Sequence, residues 1–204
     1  MDKLPAIMLA AGLSTRMGAF KPLLRLGKLT LIEHALRALH SSDSISEVLV
    51  VTGHRSEEIR NHLDGRPGTR IVVNDTYDSG EMISSVQRGI SAFPPESPAF
   101  LLTFADQPRV QPQTISSLVH SFFKTKPPLV LPTHAGKRGH PIVISTALAP
   151  EILALRNPET LKTVVQRHLP SALMLPVPDP TVLEDFDTPE DFQKALKYEP
   201  HSPS

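Results

Sequence analysis

Pro5-Ala6-Ile7-Met8-Leu9-Ala10-Ala11-Gly12-Leu13-Ser14-Thr15-Arg16-Met17-Gly18 begins as an apolar run of strand length and breaks into a loop of small residues, with Lys21-Pro22-Leu23-Leu24 close behind. The run is far shorter than the roughly 20 residues of a membrane span and has no small-residue cleavage site after it, so it reads as the first strand of a sheet. A loop of small residues leaving a strand lets backbone approach a triphosphate closely, and turned N–H groups there can cradle an anion. Leu9, Ala10, Ala11, Gly12 and Gly18 are therefore candidate nucleotide-binding positions. Arg16 and Lys21 supply charge for phosphate oxygens and are candidate catalytic residues. The spacing fits neither the Walker loop nor the dinucleotide fingerprint. Taken alone, the same residues also describe an ordinary glycine turn flanked by surface charges.

Working outward, runs of strand length recur at Ala6–Leu9, Val48–Thr52, Arg70–Val73, Ala99–Thr103, Leu129–Leu131, Pro141–Ile144 and Leu173–Val177. Helical periodicity falls between most of them, at Thr30–His40, Ser56–Leu63, Ile83–Ala92, Gln111–Lys124, Thr146–Leu155, Pro158–His168 and Pro189–Lys197. Strands alternating with helices imply a mostly parallel sheet covered on both faces, an α/β fold of three layers. The 204 residues, 40% of them hydrophobic, suit one domain over positions 1–199, with a disordered tail at 200–204. Lysines and arginines balance aspartates and glutamates at 21 each, so there is no overall positive field for nucleic acid or an anionic membrane. No cysteine is present, which excludes thiolate chemistry and disulfides and fits a reducing cytoplasm.

The second chemical signal is Leu101-Leu102-Thr103-Phe104-Ala105-Asp106-Gln107-Pro108, a strand ending in a carboxylate and a proline-directed turn. Ligands of open α/β sheets bind beyond the carboxyl ends of strands, which places Asp106 near the glycine loop as a candidate catalytic, nucleotide-binding and metal-binding residue. A hard oxygen donor there suits Mg²⁺, although Asp before a proline turn is also a common strand terminator. In Glu184-Asp185-Phe186-Asp187-Thr188-Pro189-Glu190-Asp191, Thr188 caps a helix that Pro189 starts and two acids favour. Asp187 is the candidate second metal ligand and Asp185 a reserve, against the alternative that both merely precede a capped helix whose dipole favours an acid there.

Gly136-Lys137-Arg138-Gly139-His140-Pro141 joins basic residues, glycines and a histidine ahead of a strand. Arg138, Gly139 and His140 are candidate acceptor-binding residues, against the alternative of a hairpin turn with a structural histidine. In Asn74 to Val86, Gly80 allows close approach, and Ser84 and Ser85 fall in the first turn of a helix; these three are candidate acceptor contacts, while the serines also suit simple capping. Gly53 after the second long strand leaves room for a ring to lie on the backbone, as a nucleotide base would. His54 beside it has no evident partner and reads as a surface residue.

These motifs, in this order from Ala6 to Phe192, resemble the MobA-like molybdenum-cofactor nucleotidyltransferases. The resemblance implies a Rossmann-like fold of the nucleotide-diphospho-sugar transferase type, with triphosphate held by Arg16 and Lys21 and Mg²⁺ by Asp106 and Asp187. The Leu-Ala-Ala-Gly start and the Gly-His-Pro loop look more like the cytidylyl than the guanylyl branch. The implied reaction moves CMP from CTP to molybdopterin, and the implied partners are the nucleotide, the phosphorylated acceptor, and a molybdoenzyme or its chaperone. Relatives of that branch usually carry Gly-Asp-x-Gly-Ala-Arg where this chain reads Asn157 to His168, which leaves the acceptor open. Use of GTP, transfer to another phosphorylated acceptor, and a non-catalytic molybdopterin-delivery role are the alternatives.

Overall fold

The computed structural model describes residues 2–12, 19–77, 82–94, 96–186 and 188–197, without the side chains of 194, 195 and 197. Its central strand is β1 (Leu4–Ala10), buried along its whole length. Because successive strand side chains face opposite ways, β1 serves two cores at once. Leu4, Ala6, Met8 and Ala10 join one that holds Ile32 and Leu36 of α1 (Leu31–His40), Ile59 of α2 (Ser56–Leu63) and Leu118 of α4 (Pro112–Thr125). Ile7 and Leu9 join another with Val86 and Ile90 of α3 (Met82–Ile90), Ile152 of α5 (Ala149–Ala154) and Val164 of α6 (Leu161–His168). The expected three layers follow directly.

The main sheet runs β10-β7-β9-β6-β1-β4-β5, built from β4 (Ile45–Thr52), β5 (Thr69–Val73), β6 (Ala99–Phe104), β7 (Leu129–His134), β9 (Ile142–Ser145) and β10 (Leu173–Pro176), with β8 (Lys137–Arg138) paired to β7. Pairings β1–β4, β1–β6, β4–β5 and β7–β10 are parallel, with Ile7 opposite both Leu49 and Leu102. β9 departs from this, running antiparallel to both β6 and β7. The reason lies in chain length: only the β8 hairpin and a short link separate β7 from β9, too little for the dozen or more residues of a parallel crossover. The chain steps outward from β1 to β4 and β5, then returns to β1's other flank with β6. The reversal opens a crevice beyond the C-terminal ends of β1 and β6.

A small hairpin of β2 (Arg25–Leu26) and β3 (Leu29–Thr30) precedes α1, whose Thr30–Glu33 capping box fixes its start. Two expected helices are shorter than their periodicity suggests. The segment from Thr146 opens with a 3-10 turn, Thr146–Leu148, before α5. The segment expected from Pro158 becomes helical only at Leu161, after a cis Asn157–Pro158 bond and a Thr160–Thr163 capping box. α7 (Pro189–Lys197) starts as its sequence implies: the Asp191 carboxylate accepts from the Thr188 N–H at 3.1 Å and hydroxyl at 2.7 Å, and the Asp191 N–H returns to the Thr188 hydroxyl at 3.2 Å. No helix among the described residues is long and apolar enough to cross a membrane. Residues 200–204 lie outside the described set.

Candidate active site

The crevice beyond β1 and β6 brings two of the charged candidates together, Lys21 and Asp106. Past the end of β6, the Ala105 N–H donates to the Leu9 carbonyl at 3.0 Å, so the acidic turn stays tied to β1 just before Gly12. Gln107 N–H closes that turn on the Phe104 carbonyl at 3.3 Å, leaving Asp106 at its tip. Lys21 begins a 3-10 turn, Lys21–Leu23, in which Pro22 is buried. Its ammonium reaches the Asp106 Oδ2 at 3.4 Å, bringing together two residues 85 positions apart. Burial raises the Asp106 pKa and repulsion from Asp185 adds to it, with Lys21 opposing; the net shift is upward. Extra positive charge there would favour the ionised carboxylate.

Asp185 is the second acid of this crevice, the reserve of the sequence reading. It is exposed, and one carboxylate oxygen accepts from the Gln107 side-chain amide at 3.0 Å. His140 lies close enough to Asp185 to feel its charge, and its ring meets the edge of Phe104 at 4.8 Å between centroids. Burial lowers the His140 pKa, against the pull of Asp185, so the imidazole is neutral at neutral pH.

The 3-10 turn Pro180–Leu183 braces both groups. His140 N–H donates to the Val182 carbonyl at 2.9 Å, and a Cβ on Gly139 would fall 2.2 Å from that oxygen. Only glycine fits at this approach, so Gly139 has a packing reason of its own. The turn is pinned by the buried Asp179 carboxylate, which accepts from Gln111 N–H (3.0 Å), Thr114 hydroxyl (2.8 Å), Thr181 N–H (3.0 Å) and Thr181 hydroxyl (2.5 Å). Arg138 is exposed on β8, after a hairpin turn whose Ala135 and Gly136 both have positive φ, 48° and 77°. The hairpin turn of the alternative reading is present, and His140 stands near Asp185.

The other end of the crevice, beyond β4 and β5, is packed around rings and carries Arg55, Glu57, Glu58 and Asp75 along its hollow. A Cβ on Gly53 would lie 2.5 Å from the Cβ of Tyr77, so the ring over this backbone belongs to the protein itself. His54 is no isolated surface residue: half-buried, it packs edge-on to Phe20 at 5.8 Å and beside Tyr77 at 6.2 Å. The Arg55 guanidinium lies over Phe20, 4.8 Å from its centroid, and pairs with Glu58. Buried Asn74 donates to the hydroxyls of Ser84 (2.9 Å) and Ser85 (3.0 Å), and its carbonyl accepts from Thr76 N–H at 3.2 Å. Both serines are thereby tied to the turn after β5. A hollow of about 390 Å³ lies here among Gly53, Ser56, Asn74, Asp75 and Tyr77.

Leu9 and Ala10 turn their side chains into the core and Ala11 is buried, which leaves their backbone as the part able to face a nucleotide, while Gly12 is exposed with open space where a Cβ would stand. Arg16, Gly18, Gly80 and Asp187 lie outside the described residues. Among the described residues no three His, Asp or Glu side chains gather as a metal-binding group. The sequence reading quoted Gln107 without giving it a role and passed over Asp179. The Asp179-Pro180-Thr181 turn shows only the local half of this carboxylate's bonding, while the donors from Gln111 and Thr114 that bury it lie 68 and 65 positions away.

Residues 6–172 match the family described as the MobA-like NTP transferase domain. The chain is similar to the molybdenum cofactor cytidylyltransferase of Escherichia coli (strain K12), 26% identical over 192 residues covering 94% of this chain and 95% of the relative. It is also similar to the nicotine blue oxidoreductase of Paenarthrobacter nicotinovorans, 29% identical over 202 residues, 93% of this chain and 95% of that one. Among solved structures, a Mycobacterium tuberculosis H37Rv protein determined in complex with manganese superposes with a TM-score of 0.79 at 22% identity, over 97% of this chain and 100% of the other, a likeness of fold.

Proposed function

The chain belongs to the MobA-like NTP transferase family, and from that premise we propose that it transfers CMP from CTP to molybdopterin cofactor with release of pyrophosphate, with Mg²⁺ as the metal. The carrying observation is the Lys21–Asp106 pair, 3.4 Å apart, beyond the C-terminal ends of β1 and β6 where an α/β sheet takes its ligand. The preference for CTP rests on Leu9-Ala10-Ala11-Gly12 and Gly139-His140-Pro141, and on the activity for which the Escherichia coli relative is named. The manganese in the fold neighbour's structure supports a divalent cation.

The donor set fits such a cation: Asp106 carries a carboxylate whose charge is disfavoured by burial and by a second nearby acid. Asp106 would hold it with Asp187, and bound there it would neutralise charge on the phosphate oxygens. A phosphate oxygen of the acceptor attacks the α-phosphorus, the bond to the bridging oxygen of the β-phosphate breaks, and pyrophosphate leaves. Lys21 and Arg16 hold the triphosphate, and the backbone at Ala11 and Gly12 lies against it. Neutral His140 gives a hydrogen bond to the acceptor and adds no positive charge to oppose the cation, and Arg138, Gly80, Ser84 and Ser85 complete the acceptor contacts. No protein nucleophile takes part; positioning and charge carry the rate.

One observation favours a second reading, transfer to a different phosphorylated acceptor. Where cytidylyl relatives carry Gly-Asp-x-Gly-Ala-Arg, this chain builds α6 and ties it to α5 through Glu151 pairing with Arg167 and with His168 at 2.7 Å. Pyrophosphate release with Mg²⁺, each of the four NTPs and molybdopterin, run beside Asp106→Ala, tests both readings. Turnover with CTP that vanishes in the variant supports the proposal. Metal-dependent nucleotide binding without turnover points to another acceptor, and absence of nucleotide binding sinks the phosphate site.

A further inference from the structure

Two carboxylates, those of Asp106 and Asp185, are held close enough to repel each other. Asp106 is kept in place by the turn that ends β6. Asp185 has no such anchor: it lies between the Pro180–Leu183 turn and α7, outside any helix or strand, and its side chain is exposed. Left to itself, that carboxylate gains by turning toward water and away from Asp106. The group that meets it is the side-chain amide of Gln107, at 3.0 Å from Oδ1, with the Glu184 carbonyl at 3.5 Å from the same nitrogen.

The choice of side chain is informative. Gln107 is 3% exposed, and its Oε1 is buried with no hydrogen-bond partner among the described residues. A purely structural filler has no reason to bear an unpaired buried carbonyl when methionine occupies the same volume without one. A lysine or arginine at this position would bind Asp185 more strongly, but it would cancel the negative charge that a cation needs. A neutral amide holds the carboxylate and leaves its charge intact.

We infer that Gln107 is a positioning residue of the transfer site, holding Asp185 beside Asp106 so that the crevice presents paired carboxylates to a divalent cation bound with the nucleotide. The inference rests on the nucleotidyl-transfer reading and adds Asp185 to the acids that serve the cation. Gln107 acts through Asp185 and touches neither substrate nor cation.

The experiment is a double-mutant cycle read by Mn²⁺ binding in the presence of CTP, with free Mn²⁺ followed by electron paramagnetic resonance. Gln107→Met and Asp185→Asn are each expected to weaken Mn²⁺ binding by on the order of tenfold, the scale typical of residues that orient metal ligands. The double variant is expected to bind no more weakly than Asp185→Asn alone, because the amide then has nothing to orient. CTP binding without metal and the thermal melt should stay near wild type, which separates positioning from a folding defect. If Gln107→Met proves unstable, Gln107→Asn keeps the amide but withdraws it by one methylene, and the same loss is expected. Wild-type Mn²⁺ affinity in Gln107→Met, or losses that multiply in the double variant, overturns the inference and leaves the transfer reading standing. Absence of Mn²⁺ binding by the wild-type protein with CTP takes both down.

Discussion

The two ends of the crevice are assembled from different forces. Beyond β1 and β6, Lys21, Asp106 and Asp185 are brought together although burial and the nearby Asp185 both oppose the charge of Asp106, with a neutral amide and a neutral imidazole as company. Beyond β4 and β5, rings and uncharged hydrogen bonds carry most of the order, with Tyr77 on Gly53, His54 between Phe20 and Tyr77 and Asn74 gathering two serines, and the charge of Arg55 is met by Glu58 and the Phe20 ring. The first arrangement is costly in the resting protein and repaid only when counter-charge arrives, which is the mark of a place where charge develops during reaction. In the second, the Arg55 cation already has its counter-charge in Glu58. That arrangement can shape what lies against it without taking part in bond making.

On that division, substitutions at the end with the opposed acids should cut turnover, and those at the ring-lined end should change stability or selectivity. The largest effect is expected for Asp106→Ala, a fall in kcat on the order of 10³-fold with nucleotide affinity changed far less, measured by steady-state pyrophosphate release and by direct titration. Lys21→Met should follow with a loss of about 10²-fold in kcat/KM. A fall in KM with kcat intact would instead show that the ion pair blocks the triphosphate. At the other end, Asn74→Ala leaves the two serine hydroxyls and the Thr76 N–H without their partner. It should cost about 2 kcal/mol in denaturant unfolding, with little effect on kcat in the folded fraction. Tyr77→Ala should alter the ratio of kcat/KM between pyrimidine and purine nucleotides by up to about tenfold while kcat for the better one barely moves. Equal loss with every nucleotide would erase the proposed contrast.

A group away from both ends supplies the smallest effect and a control. Partial burial of Glu33 opposes its charge, but the Thr30 N–H and hydroxyl, with His62 and Arg66, outweigh it and bring its pKa to about 2 from an ordinary 4.5. A carboxylate depressed in the folded state stabilises fully above its unfolded pKa and loses that contribution as pH falls through the folded one. The melting temperature of the wild type should therefore exceed that of Glu33→Gln by a constant margin above pH 4.5, and the margin should close toward pH 2. Activity at neutral pH should not separate the two proteins.

Much of this was legible in the sequence because it is local. Strand runs at Ala6, Val48 and Ala99, the α7 start at Thr188 and Pro189, and an acid at the end of β6 each announce themselves within a few residues. The direction of β9 was not legible, because a buried run reads the same whichever way it pairs. Nor was the true start of α6, since Pro158 and Glu159 suit a first helical turn as well as the residues after the Thr160–Thr163 box that fixes it. His54 read as a surface residue because its ring partners lie 34 positions upstream and 23 downstream. Gln107 was in plain view as a letter, but its role depends on a carboxylate 78 residues on. Gly53 was expected to admit a ring, and the ring that arrived was Tyr77.

The wide separation of the paired acids also orders events in time. The residues of strands β1, β4, β5 and β6, together with Lys21 and Asp106, have been made when barely half of the chain exists, whereas a domain generally folds as a unit. Asp185 follows β10 in the chain. A polypeptide interrupted between β10 and Asp185 would contain every residue of the main sheet, the glycine loop and the lysine, and would still lack half of the acid pair. Competence arrives late in the making of this molecule, after the architecture that houses it.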